Sequence, residues 1–461
     1  MFMPEHLVKS DLIQAELPSA SHVYKRCIKT AWPAAVESVF IALMGLIDTF
    51  MVSRLGETAI SAVGITTQPK FLFMALIFAL NIGVTAVIAR LKGEGDNIGC
   101  RRTLTTGIII STVISAIMTV IAFFFSRPIL LLAGAQDSFL EDANDYFLII
   151  MIGQFFNCIS TTINAAQRGI GNTKIAMITN TAANILNIIF NALLINGLWI
   201  FPRLGVKGAA IATTIGNIAA FLLSMACILN RKNEISVISR GILKYDRRII
   251  SGTVRIGSSG LVEQVFMRIG FFTFAALIAN LGDIPFATHQ ICMNILHISF
   301  AMADGFSVAA TGLVGQSLGE KRPDCAMIYA KACQRFTVII SAVLFIFFLC
   351  LRRELILIFS DTPQVVELGS IIVVIIAVTG FFQTSQFVLS GSLKGAGDSK
   401  YLAIISFVGT TIIRPVISWL LCYPLSFGLI GAWLGMFVEQ VVRLILNSVR
   451  FSNGKWAQIK V

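Results

Sequence analysis

The sequence predicts an all-α membrane protein: twelve transmembrane helices in two six-helix bundles, related by a pseudo-two-fold axis along the membrane normal. Three observations carry this prediction. First, 56% of the 461 residues are hydrophobic and only 13% are charged, with mean hydropathy +0.82; a soluble domain carries about 25% charged residues. Second, apolar runs of about 20 residues, long enough to cross hydrocarbon, recur along the whole chain. They are continuous rather than alternating, which excludes a β-barrel. Third, four landmarks repeat. Gly56 closing RLG matches Gly282 closing NLG, and Gly93 matches Gly319. The loop RGIGNTK (168–174) matches KGAGDSK (394–400), and Glu37 in PAAVESVF matches Glu263 in SGLVEQVF. Every pair is offset by 226 residues.

Taken in order, the spans are 31–52, 58–89, 104–126, 144–166, 175–199, 208–229, 256–280, 287–315, 336–351, 366–390, 401–422 and 429–447. Six per half keeps the two copies parallel, and a substrate cavity is expected between them near the midplane. The domain plan is a segment 1–30, a lobe 31–229, a linker 230–255, a lobe 256–447 and a tail 448–461. Of the 36 Lys and Arg, 27 fall in loops on the side of the termini and 6 on the other (Arg54, Arg127, Arg203, Lys207, Arg352, Arg353). This bias puts both termini in the cytoplasm, in a cell-membrane protein. The net charge of +12 therefore reads as a topology signal and contact with anionic lipid, not as a nucleic-acid footprint. Residues 1–29 lack the apolar core of a signal peptide, so no cleavage is expected. The nine cysteines include no C-x-x-C pair and read as small buried hydrophobes.

The first span carries two acids, Glu37 and Asp48. A carboxylate in hydrocarbon costs about 2.5–3.5 kcal/mol even on a lenient scale. Eleven residues return the two to nearly one helix face. They serve either as interhelical hydrogen bonds or as an ion or proton site, the usual meaning of intramembrane acids. Duplication did not copy Asp48: its counterpart is Phe274. The fifth span holds Asn180, Asn184, Asn187 and Asn191 on one face. Either these amides knit helices together, or they supply neutral oxygens to a hard cation beside Asp48. Thr213 and Thr214 of the sixth span can add a hydroxyl. Pro69 is expected to kink the second span. Lys70 either snorkels or pairs with an acid such as Asp48, in which case it takes a metal cation's place.

In the second half the interior polar groups are Glu263, Arg268, Asp304, Gln383, Gln386, Arg414 and Glu439, with Gln290, Asn294 and His297 on one face of the eighth span. Buried pairing accounts for most of these. The substrate cavity is expected to take Glu263, Gln290, Asn294 and Gln383, with Asn180 and Asn184 of the first half, and acids that line it favour cationic cargo. The glycine loops lack G-x-x-x-x-G-K-[ST] and follow no strand, so they read as turns rather than phosphate cradles. No H-E-x-x-H or G-x-S-x-G is present, and the chain is not expected to be an enzyme.

In combination these features resemble the multidrug and toxic compound extrusion (MATE) family of antiporters. The carriers are P-x3-E-x10-D-x5-RLG (Pro33, Glu37, Asp48, Arg54-Leu55-Gly56), the paired glycine turns, VGQSLGE at 314–320 and GAAIAT at 208–213. The resemblance covers 31–447. It implies export of amphipathic, often cationic compounds against inward Na⁺ or H⁺, with no cofactor beyond that ion. The partners it leaves are small-molecule substrates and membrane lipids, with a monomer as the working unit. Members with a first-lobe cation site use the first-span Asp with an Asn, an Asp and a Thr. The matching positions are Asp48, Asn187, Asn191 and Thr213, so Asn191 stands where such members have an acid. The family bends its first helix near a proline matching Pro33. Glu263 resembles a second-lobe coupling acid, without an acid in the tenth span to accompany it. The alternative is a flippase for a lipid-linked precursor, of the same superfamily. Such a protein calls for a strongly basic cavity, whereas the interior basics here are only Lys70, Arg268 and Arg414.

Overall fold

A computed structural model describes residues 7–8, 13–53, 55, 57–198, 201–231, 233–237 and 246–459. Arg54 and Gly56 of the RLG landmark, and Arg240 and Lys244 of the expected linker, lie outside the described residues. The described chain is helical, and no strand occurs within it. Twelve helices are long and apolar enough to cross a membrane, and the protein is a multi-pass membrane protein. In order they run α1 (Ala20–Ser53), α2 (Glu57–Gly93), α3 (Asn97–Leu132), α4 (Leu140–Gly169), α5 (Thr173–Asn196), α6 (Gly205–Leu229), α7 (Arg247–Ala279), α8 (Asp283–Gly319) and α9 (Pro323–Cys350). A short helix α10 (Arg352–Leu357) precedes α11 (Pro363–Gly395). The eleventh span is composite: α12 (Ser399–Ser406), a π-helical stretch Phe407–Ile413, and α13 (Arg414–Cys422). The last span is α14 (Gly428–Ser452).

The sequence repeat is written in the backbone. Gly171 and Gly397, 226 residues apart, take left-handed φ of 85° and 84°, a conformation that glycine adopts without a Cβ penalty. Each closes the same turn: Gly171 N–H donates to Arg168 O at 2.9 Å, and Gly397 N–H to Lys394 O at 3.0 Å. Lys321 (φ 58°) repeats the turn at Gly95 (φ 77°), donating to Leu318 O at 3.1 Å as Gly95 does to Lys92 O at 3.2 Å.

Helix ends depart from the expected ones. α7 begins at Arg247, so the last third of the expected linker 230–255 is helix. Asp246 explains the early start: its Oδ1 accepts from Arg248 N at 3.0 Å and Ile249 N at 3.5 Å, satisfying orphan donors of the first turn. α1 likewise starts at Ala20 rather than 31, with Ser19 O accepting from Val23 N. It is continuous through Pro33, as α2 is through Pro69.

The chain forms two compact units, one of residues 39–257 and one of residues up to 38 together with 258–461. The division falls inside α1 and α7, not in the loops, so α1 contributes its first half to one unit and its second half to the other. In the unit of 39–257, Ser160 and Ser224 bond across α4 and α6 at 2.8 Å. In the other unit, α8, α9 and α11 enclose a large core that also takes in Leu7, Val8 and Trp456 from the chain ends. Trp456 stacks on Phe451 with ring centroids 4.8 Å apart. Seven of the nine cysteines are buried, in keeping with a packing role.

Candidate functional site

Within the unit of residues 39–257, the acid of α1 meets the amide row of α5. Asn191 Nδ2 donates to Asp48 Oδ1 at 2.6 Å and to Asn187 Oδ1 at 3.2 Å. Asn187 Nδ2 reaches Thr213 Oγ1 of α6 at 3.0 Å. With the Asn187 amide turned about, its nitrogen donates to Asp48 Oδ1 at 2.9 Å. Its oxygen then accepts from Thr213 N at 3.1 Å and Oγ1 at 3.0 Å, and the bond from Asn191 Nδ2 to Asn187 is given up, because the two amide nitrogens then face each other. Thr213 Oγ1 also contacts Ala209 O at 3.0 Å, one turn back in its own helix. Asn187 and Asn191 are buried, and Asp48 is half-buried.

Local sequence explains the assembly. The i, i+4 spacing stacks Asn187 and Asn191 on one face of α5. Gly216, one turn beyond Thr213, lets α6 come close: a Cβ there would lie 2.8 Å from Ala183 O and 3.3 Å from Asn187 Cβ.

Two features set the electrostatics. Lys70 attracts Asp48 through space but makes no contact ion pair with it; its ammonium lies 5.7 Å from the Phe71 ring centroid. The charge of Asp48 is therefore held by charge-assisted amide bonds and a distant cation. Asn191 Oδ1 is buried and has no hydrogen-bond partner, although such groups are rarely left so. Asp48 and Thr213 Oγ1 are oxygen groups of the kind a hard monovalent cation takes, but the amide that bonds Asp48 turns its nitrogen to the carboxylate. The same carboxylate can take a proton instead.

The other predicted residues lie apart from this cluster. Asn180 and Asn184 are half-buried on α5, and Asn184 Nδ2 is left without a partner. Glu37 is buried, in the half of α1 that belongs to the other unit. In that unit, Glu263 is buried and Lys394 Nζ holds its Oε1 at 3.1 Å. Gln290 is exposed, Asn294 half-buried and Gln383 fully buried with neither amide end bonded. Asp304 is exposed and accepts from Ser38 Oγ at 3.1 Å. Reading the sequence missed Tyr146, a buried residue whose phenol feels the charge of Asp48. Arg443, counted from sequence among the basics of the cytoplasmic side, is instead buried and joins Arg414 on Glu439 at 3.3 Å and 2.9 Å respectively, so Lys70, Arg268 and Arg414 are not the only interior basics. The i, i+4 spacing of Glu439 and Arg443 was the signal that could have found that pair.

Fold and site together define a class: a polytopic membrane protein made of a duplicated helical unit, with a lone carboxylate held by amides inside one copy. The MatE family pattern matches residues 33–193 and 261–420, and the chain belongs to that family. It is 28% identical over 455 residues to the "Probable multidrug resistance protein NorM" of Thermotoga maritima, covering 98% of this chain and 96% of that one. It is 24% identical over 440 residues to the "Multidrug resistance protein MdtK" of Yersinia enterocolitica, covering 93% and 94%. Among solved structures, "MATE in the straight conformation" superposes with TM-score 0.88 at 20% identity, covering 94% of this chain and 97% of that one. "MATE in the bent conformation" superposes with TM-score 0.85 at 20% identity, covering 94% and 96%. These two likenesses show the fold.

Proposed function

We propose that the protein is a cation-coupled multidrug efflux antiporter of the cell membrane. It exports amphipathic, cationic compounds by alternating access, with both termini cytoplasmic. The observation that carries this reading is the bond from Asn191 Nδ2 to Asp48 Oδ1, 2.6 Å long, inside a span where an acid is costly. The relatives' names, NorM and MdtK multidrug resistance proteins, support export of drugs.

Asp48 carries the coupling ion. When it is ionised, amide N–H groups of α5 hold the second half of α1 against that helix. A proton removes the charge those donors answer to. A sodium ion requires the amides to present oxygen instead of nitrogen. Either event changes the free energy of the α1–α5 contact, and such differential binding is what any ligand-driven switch needs. Pro33, where the helix lacks one backbone donor, is the proposed point of bending.

The test is efflux of a cationic dye from proteoliposomes with sodium and pH gradients imposed separately. Efflux driven by one of the two gradients supports the reading and names the ion. Efflux indifferent to both removes ion coupling, and movement of a lipid-linked precursor in its place points to a flippase.

A further inference from the structure

We propose that the unit containing residues 258–461 holds a buried binding site for a monovalent anion, chloride being the abundant one. The site lies beside Arg414, near the register at which the other half carries Asp48. The starting point is a charge imbalance. Glu439 is fully buried; its Oε2 accepts from Arg414 Nη2 at 2.9 Å and its Oε1 from Arg443 Nη1 at 3.3 Å. Arg414 is 1% exposed and Arg443 5%. Neither arginine has a second acid among the described ion pairs. The cluster therefore keeps one net positive charge away from water, a state that proteins avoid unless it is compensated.

Donors are left over on Arg414 itself and on Trp433, which is linked to it through Phe274 and His289. Arg414 Nε and Nη1 have no hydrogen-bond partner, nor has the indole Nε1 of Trp433, which is 2% exposed. A guanidinium and an indole can only donate, so these three N–H groups call for an acceptor. The side chains are linked through short ring contacts. Phe274 lies 5.6 Å from the Arg414 guanidinium carbon and 5.5 Å from the His289 ring, and His289 lies 5.6 Å from Trp433. His289 Nδ1, also without a partner, adds a further polar atom. Aromatic rings turn a positive edge outward, which suits an anion among them. A single negative charge would neutralise the cluster and accept from Arg414 and Trp433 together. Arg414 opens α13 directly after the π-helical stretch Phe407–Ile413, a deformation that often marks functional positions. The duplication has then placed opposite charges: a carboxylate for cations in one copy, and an arginine over Phe274 for an anion in the other.

The experiment uses the purified full-length protein in detergent, with sodium gluconate as the starting salt. Chloride replaces gluconate stepwise at constant sodium while thermal unfolding is followed. An anion bound to the native state alone raises Tm saturably. The proposal expects this for chloride and bromide and not for gluconate. It expects Trp433→Phe, which removes only the indole donor, to weaken the apparent Kd about tenfold. It expects Arg414→Lys to abolish the saturable effect. A Tm that is the same in both salts, or a saturable rise unaltered by Trp433→Phe, overturns the proposal even where Arg414→Lys fails to fold.

Discussion

Asn191 Nδ2 lies 2.6 Å from Asp48 Oδ1, the bond that ties the second half of α1 to α5. Removing the charge of Asp48 while keeping that bond is the most direct test of the coupling role. Asp48→Asn keeps the size of the side chain and can still accept from an amide, so the protein is expected to fold and to insert. It can no longer bind a proton or a charged counter-ion. Gradient-driven dye efflux should fall to the level of empty proteoliposomes while Tm stays within a few degrees of wild type. Efflux equal to wild type would remove Asp48 from the mechanism.

Asn191→Asp tests the single-charge character of the site from the other direction. It places a second carboxylate within hydrogen-bond distance of Asp48. Two adjacent carboxylates cannot both ionise freely, and a sodium ion relieves their repulsion. Sodium-driven efflux is expected to gain at least tenfold in apparent sodium affinity, about 1.4 kcal/mol. The reading is the sodium concentration giving half-maximal efflux at fixed pH.

Lys70 competes with any cation for Asp48, because the two attract each other through space. At an effective dielectric of about 20, two unit charges about 4 Å apart attract by about 4 kcal/mol, and a pair that makes no contact attracts by less. Lys70→Met should therefore strengthen cation binding by roughly tenfold or more. The check is the same sodium titration, or binding of rubidium as a sodium surrogate. An unchanged midpoint would show that the lysine is screened from the acid.

How much of this was legible from sequence follows from how local each feature is. The Asp48, Asn187, Asn191 and Thr213 constellation was readable because three of its members sit on regular helix faces, where periodicity fixes direction, and because the family pattern supplied the fourth. The duplication was readable because turns such as those at Gly171 and Gly397 need glycine for a backbone reason. The Glu263–Lys394 pair was not readable, since it joins residues 131 positions apart and helical spacing says nothing at that range. The π-helical stretch was hidden as well. FVGTTII carries no local signal, and its shifted register is set by packing. Thr411 Oγ1 donates to Phe266 O at 2.9 Å, and Gly409 faces Arg443 so closely that a Cβ would lie 2.7 Å from its Cγ. The buried Trp456 was concealed in a basic, polar tail, where composition suggested only solvent.

Glu439 gives the clearest stability prediction. Its carboxylate is the acceptor of two buried guanidinium groups and of Thr410 Oγ1 at 3.3 Å. Glu439→Gln keeps the volume but leaves Arg414 and Arg443 facing each other without an acid. Breaking a buried pair from one side costs about 3–5 kcal/mol, far more than the loss of one neutral hydrogen bond, about 1 kcal/mol. Removing the charges together should cost less: Glu439→Leu with Arg414→Met and Arg443→Met exchanges the ions for apolar volume, and such replacements are often neutral or stabilising. Thermal unfolding in detergent should thus rank wild type and the triple variant together, with Glu439→Gln well below both. If the single variant were as stable as wild type, the two arginines would have to be neutralised by something other than Glu439. The bound anion inferred beside Arg414 would then be the first group to test, by repeating the comparison in gluconate.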